Sequence, residues 1–215
     1  MRRVVQCIAA VTLCAAGFAI GRISDLNPHA NMRTEALDAA VLRAAFQPPD
    51  EEMAAAMERM MAAGMPGPNH APLKVLDGEW KGFVRITMAP GGEPMEMPAT
   101  IRREWIMGGR YMKETVISET PEGPFEGMSI VGFNNIDGLY ESMWIDNYST
   151  AIMIEHGTYD KEKKMFRFYG MHRDPGSNTM IMGGSELDVS NPDRHVMKGH
   201  KIGPDGSPFQ NFYGV

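Results

Sequence analysis

Cysteine is almost missing from this chain: the only two, Cys7 and Cys14, lie within the first 19 residues. Without that stretch, the remainder can form no disulfide, thiolate nucleophile or cysteine-based zinc site. Positive charge is also short, with 21 Lys and Arg against 27 Asp and Glu and a net charge of −6. An acidic chain with no basic run is a poor match for nucleic acid or an anionic lipid surface, so nucleic acid is excluded as a partner. There is no Gly-x-Ser-x-Gly turn, phosphate-binding glycine loop or spaced His/Cys/Asp/Glu ligand set. Nucleophilic hydrolysis, nucleotide chemistry and metal catalysis therefore leave no signature. What is present is a globular composition, 43% hydrophobic and 22% charged, enough to build a core.

The first residues read as an address. Arg2 and Arg3 precede an uncharged run from Val4 to Ile20, with small residues at Gly17 and Ala19. This order predicts a signal peptide over residues 1–19, cleaved after Ala19, and a periplasmic or secreted protein. The run, ~17 residues, also meets the lower limit for a membrane span, so an uncleaved anchor is the alternative. Val11-Thr12-Leu13-Cys14 is a poor lipoprotein box, because bulky Leu13 sits where a small residue is needed.

Residues 20–72 read as a helical lead-in and linker. Helical patterns over Thr34–Phe46 and Asp50–Ala63 flank Gln47-Pro48-Pro49, and acids at Asp50, Glu51 and Glu52 suit the dipole of a first helical turn. Gly64-Met65-Pro66-Gly67-Pro68 ends the second helix. Met53, Met57, Met60 and Met61 gather on one face of it, with Met65 just beyond. Soft thioethers suit copper(I). The alanines around them and the lack of a nearby His favour an apolar stripe packed on the rest of the protein.

From Gly78 the rhythm changes. Ten strand-like runs follow, split by turn signals such as Pro90-Gly91-Gly92, Gly108-Gly109, Asn134-Asn135-Ile136-Asp137-Gly138 and Asp160-Lys161-Glu162-Lys163. Turns every ~8–12 residues with no helix between them predict an all-β domain over 73–215. Short connections predict an antiparallel up-and-down β-barrel of about ten strands, which leaves no exposed sheet edge.

Gly78-Glu79-Trp80 at the first strand resembles the opening of lipocalin-like (calycin) barrels. A longer match runs through His70, Leu73, Gly108-Gly109-Arg110-Tyr111, Pro124-Phe125-Glu126-Gly127, Gly132-Phe133-Asn134, Tyr140, Trp144-Ile145-Asp146, Gly157-Thr158-Tyr159-Asp160 and Asp174-Pro175. Over His70 to about Tyr213 the chain resembles the bacterial domain of unknown function 1579 family. That resemblance implies a calycin-like barrel and carries no activity; the lipocalin-like opening implies that Trp80 closes one end of it. The family's Gly-Tyr-Asp stands here as Gly132-Phe133-Asn134.

Strand alternation supplies a candidate site. Tyr140, Trp144, His156, Arg167 and Tyr169 come from three consecutive runs and are expected on one lumenal wall around a small apolar ligand. Gly78, Trp80, Asp146 and Asp160 are expected in structural roles, the two Asp as turn caps. His156 with Asp146 would be the acid–base pair of an enzyme reading. A single inward His is also what a haem-binding barrel uses. His195 and His200, five apart, should face opposite ways, and no metal or cofactor is expected. A filled barrel acting as an envelope interaction module is the third reading.

Overall fold

The computed structural model describes residues 50–174, 178–202 and 206–215. The proposed signal segment and the helical pattern over Thr34–Phe46 lie outside them. Glu51–Val215 form one compact unit. It opens with helix α1 (Glu51–Ala63) and a 3-10 helix (Pro68–Leu76). Ten strands follow: β1 (Gly78–Ile86), β2 (Met95–Ile106), β3 (Tyr111–Thr120), β4 (Gly123–Asn134) and β5 (Leu139–Asp146). The rest are β6 (Met153–Asp160), β7 (Met165–Arg173), β8 (Met180–Asn191), β9 (Arg194–Ile202) and β10 (Pro208–Gly214).

Each strand pairs antiparallel with its neighbour in sequence, and β10 returns to β1, closing the barrel in the up-and-down order that the turn spacing predicts. At β2–β3, Gly108 and Gly109 take φ of 67° and 84°, the left-handed conformation a tight hairpin requires. The β1–β10 seam is the shortest, and the last residue extends it: the Phe83 and Val215 amides each donate to the other's carbonyl at 3.0 Å. Gly82 permits this approach, because a Cβ there would fall 1.7 Å from the Val215 carbonyl oxygen.

The 3-10 helix, not the barrel wall, organises the core. Pro72, inside this stretch, removes an intrahelical donor and disfavours a regular α-helix here. With three residues per turn, positions i and i+3 eclipse, so His70, Leu73 and Leu76 stack on one face. Those three are the residues of this segment that are buried. They plug one mouth of the barrel, where Leu73 and Leu76 join Met112, Tyr140, Phe166, Phe168 and Val189 in the core. The boundary expected between residues 72 and 73 falls within this helix.

Two side chains from the wall hold the plug's backbone. The Trp80 indole Nε1 donates to the Leu76 carbonyl at 2.9 Å, and the Tyr140 hydroxyl donates to the Asn69 carbonyl. Within the segment, the Gly67 amide donates to His70 Nδ1 at 3.0 Å, while the His70 ring meets Phe133 edge-on.

Helix α1 is fastened to the barrel at its C-terminal end. Asn135 Nδ2 donates to the Ala63 and Met65 carbonyls, and Arg110 Nε to that of Gly64, so two barrel loops satisfy the helix's last acceptors. No residue of α1 is buried, and Met53, Met60, Met61 and Met65 stay more than half exposed. The expected packing of this stripe on the barrel is therefore not found among the described residues. The hydrogen bonds that tie the helix to the barrel fall at Ala63, Gly64 and Met65, beyond most of the methionine stripe.

Replacing Trp80 removes both a ring packed at the mouth and a plug hydrogen bond. Trp80→Ala is expected to lower unfolding stability by about 3 kcal/mol, and Trp80→Phe by about 1 kcal/mol. Urea melts of the three proteins check this, and a loss below half a kcal/mol for the alanine variant would contradict the plug's role.

Candidate functional site

Register fixes which side chains face the lumen. Met112, Glu114, Val116 and Ser118 of β3 oppose Val131, Ser129, Gly127 and Phe125 of β4. Continuing round the wall, Ser142 opposes Glu155, Gly157 opposes Phe168, and Phe168 opposes Ser185. Below the plug these residues leave a cavity of about 70 Å³. Leu73 and Leu76 form its roof and Met112, Val131, Phe166, Phe168, Leu187 and Met197 most of its apolar wall. Its polar groups are Arg103, Glu114, Ser129, Ser142, Glu155 and Ser185.

These polar groups fall into two sets. Arg103 Nε donates to Glu114 Oε2 at 2.5 Å, across directly paired positions of β2 and β3, and Arg103 is buried. An ion pair removed from water holds only when both partners stay in place, so this one braces the wall. Glu155 differs. Among the described residues its hydrogen-bond partner is the Ser185 hydroxyl, which donates to Oε2 at 3.4 Å, and no cation lies within ion-pair distance of it. Burial pushes its carboxyl above the usual range, and the Ser185 hydrogen bond only partly opposes this.

Toward the mouth sits His195, buried against Trp80 with ring centroids 4.1 Å apart. Among the described residues neither of its ring nitrogens has a hydrogen-bond partner. Burial first, then the Arg103 guanidinium, drives its pKa down to about 4 against the pull of Asp188. It is a neutral, packed imidazole at pH 7. His200, five residues on, pairs with Gly184 on the outer surface.

None of the five residues expected on the ligand wall lines this cavity. Tyr140 and Trp144 do face inward, but at different levels of β5. Tyr140 is buried in the plug core, edge-on to Phe133 and Phe166, and burial raises its hydroxyl pKa to about 12. Trp144 lies across Gly127 toward the other mouth, stacked on Phe125, with Nε1 donating to Asp146 Oδ2 at 2.8 Å. His156, Arg167 and Tyr169 face outward, because their strand neighbours Gly157, Phe166 and Phe168 take the inside. Arg167 is clamped between Glu186 and Asp160 at 2.9 and 3.5 Å, and Tyr169 is 56% exposed. His156 and Asp146 lie on opposite faces of the wall, so they form no acid–base pair.

The residues given structural roles sit as follows. Gly78 has φ of 124° where the plug enters β1. Asp146 Oδ1 accepts the Tyr148 amide, and Asp160 Oδ1 accepts those of Glu162 and Lys163, so both carboxylates cap turns.

Fold and site define a closed ten-stranded antiparallel barrel, plugged at one mouth, around a small internal cavity. The family described as a protein of unknown function, DUF1579, matches residues 65–213, and the chain belongs to it. A search of curated proteins finds no match.

The His195 shift fixes the acid limb of stability. A depressed pKa contributes stability above the unfolded value of 6.5 that is lost as pH falls through about 4. Wild type should lose on the order of 2–3 kcal/mol across that window from this group, and His195→Phe should flatten the limb. Urea melts at stepped pH read it, and superimposable limbs would refute it. Glu155 has the opposite sign: its contribution is present below 4.5 and fades as pH rises through its raised value.

Proposed function

We propose that this protein is a calycin-like carrier that binds a small, largely apolar molecule in its lumen, with the molecule's polar end at Ser142, Glu155 and Ser185. The observation that carries this reading is the cavity itself, whose wall is mainly apolar with a few convergent polar groups. Binding sites for small molecules have that composition. About 70 Å³ holds only a few waters' worth of atoms, so the occupant is a molecule of few heavy atoms while the plug is seated.

Titration with n-propanol and n-butanol, followed by amide chemical shifts, tests the reading. Saturable shifts at Ser142, Glu155 and Ser185 are expected. No saturation at any concentration the fold tolerates, or shifts confined to the outer surface, where Tyr169, Met182 and His200 line a second hollow, would refute it.

The proposal extends to export as a periplasmic or secreted protein. Its support is the order of Arg2-Arg3, the apolar run to Ile20, and Gly17-x-Ala19. Intact mass of protein from the cell envelope should equal the chain lacking residues 1–19. A full-length chain in the membrane fraction would identify an anchor instead.

A further inference from the structure

The lining of the lumenal cavity is unbalanced in charge. It contains two carboxyl groups, Glu114 and Glu155, against one guanidinium, that of Arg103. Glu114 takes the guanidinium at 2.5 Å, which leaves Glu155 facing the space with no cation of its own among the described residues. Burying a lone carboxylate is costly unless a partner arrives with the complementary charge.

We infer that the cavity is a site for a small primary alkylammonium ion, with Glu155 as its counter-ion. This rests on the lumenal reading above and names its ligand class. An ammonium group presents three N–H donors and no acceptor. The Glu155 carboxylate accepts one, and the hydroxyl oxygens of Ser142 and Ser185, at paired or bonded positions beside it, can accept the others. The aliphatic chain meets Phe166, Phe168 and Leu187. Aromatic faces also favour a cation nearby. An anion is less well matched, because it would have to draw Arg103 from Glu114 and leave two buried carboxylates without a partner.

Size and pH follow from the same groups. The cavity volume of about 70 Å³ admits a short chain and excludes a long one. A bound ammonium requires Glu155 in its ionised form, so binding expels a proton wherever the empty site is protonated. Alkylamines stay charged to about pH 10. Affinity should therefore rise with pH across the range where free Glu155 titrates; the other charged groups lining the cavity, Arg103 and Glu114, contact each other.

Calorimetric titration of the full chain with n-propylammonium, n-propanol and propionate provides the test. At pH 8, n-propylammonium is expected to bind at least about tenfold more tightly than n-propanol, equal to one pK unit of charge interaction. Its affinity should fall as pH is lowered toward 5, with proton release detectable as a buffer-dependent heat. Glu155→Gln should remove both the preference and the pH dependence. The wild-type pH profile needs no variant, so a poorly folding Glu155→Gln does not spoil the test. Equal affinity for the alcohol and the amine, a pH-independent amine affinity, or tighter propionate binding would overturn the ammonium assignment and leave lumenal binding standing. Binding of none of the three would overturn lumenal binding itself.

Discussion

The hydrogen bond from the Trp80 indole to the Leu76 carbonyl joins the two parts of this protein that sequence distance would let drift apart. It fixes the end of a short 3-10 helix to the first strand of the barrel. Once that end is fixed, the three-residue period turns His70, Leu73 and Leu76 to the same side. The mouth then receives two leucines that are almost wholly inaccessible to water. Without the plug, Met112, Phe166 and Val189 would face an open mouth. A barrel wall alone has no core at this end, so the plug supplies it.

The plug also sets the electrostatics beneath it. It keeps water from His195 and from the Arg103–Glu114 pair, so the imidazole stays neutral and the ion pair stays strong. Deeper in, the same exclusion leaves Glu155 a carboxyl that resists ionisation. One buried pair is satisfied within the chain and one carboxyl is not, and that difference separates bracing groups from a group able to answer a ligand.

The fold was legible in the sequence because its signals are local. Turn residues at Gly108-Gly109 or Asp160 need no knowledge of the tertiary structure, and ten runs with short connections leave little topology to choose. The site was legible only in part. Alternation separates the two faces of β6 and β7 but does not say which is inside. Ile152 and Ile154 made the His156 face look like the interior, yet they are 65% and 48% exposed. The interior of β6 is instead Met153, Glu155, Gly157 and Tyr159, because the ring of Phe168 from β7 fills the space that Gly157 leaves and that of Phe166 packs on Tyr159. A single charge within an otherwise apolar alternating set, such as Arg103 among Met97, Ala99, Ile101 and Trp105, was the signal that could have found the cavity. The plug was hidden because its period of three is carried by one nine-residue segment.

Leu73 and Leu76 serve the core and roof the cavity at once, and under the proposed lumenal binding this couples ligand size to stability. A molecule that lifts the plug exposes two leucines at about 2 kcal/mol each and gives up the hydrogen bonds from Trp80 and Tyr140 at about 1 kcal/mol each. The total, roughly 6 kcal/mol, compares with the roughly 8 kcal/mol of a micromolar complex. An oversized ligand with micromolar intrinsic affinity would therefore bind only at concentrations on the order of tens of millimolar. A small one that leaves the plug seated keeps its full affinity. Selection by size thus needs no specific contact that rejects the larger molecule, because the energy of the seated plug does the rejecting.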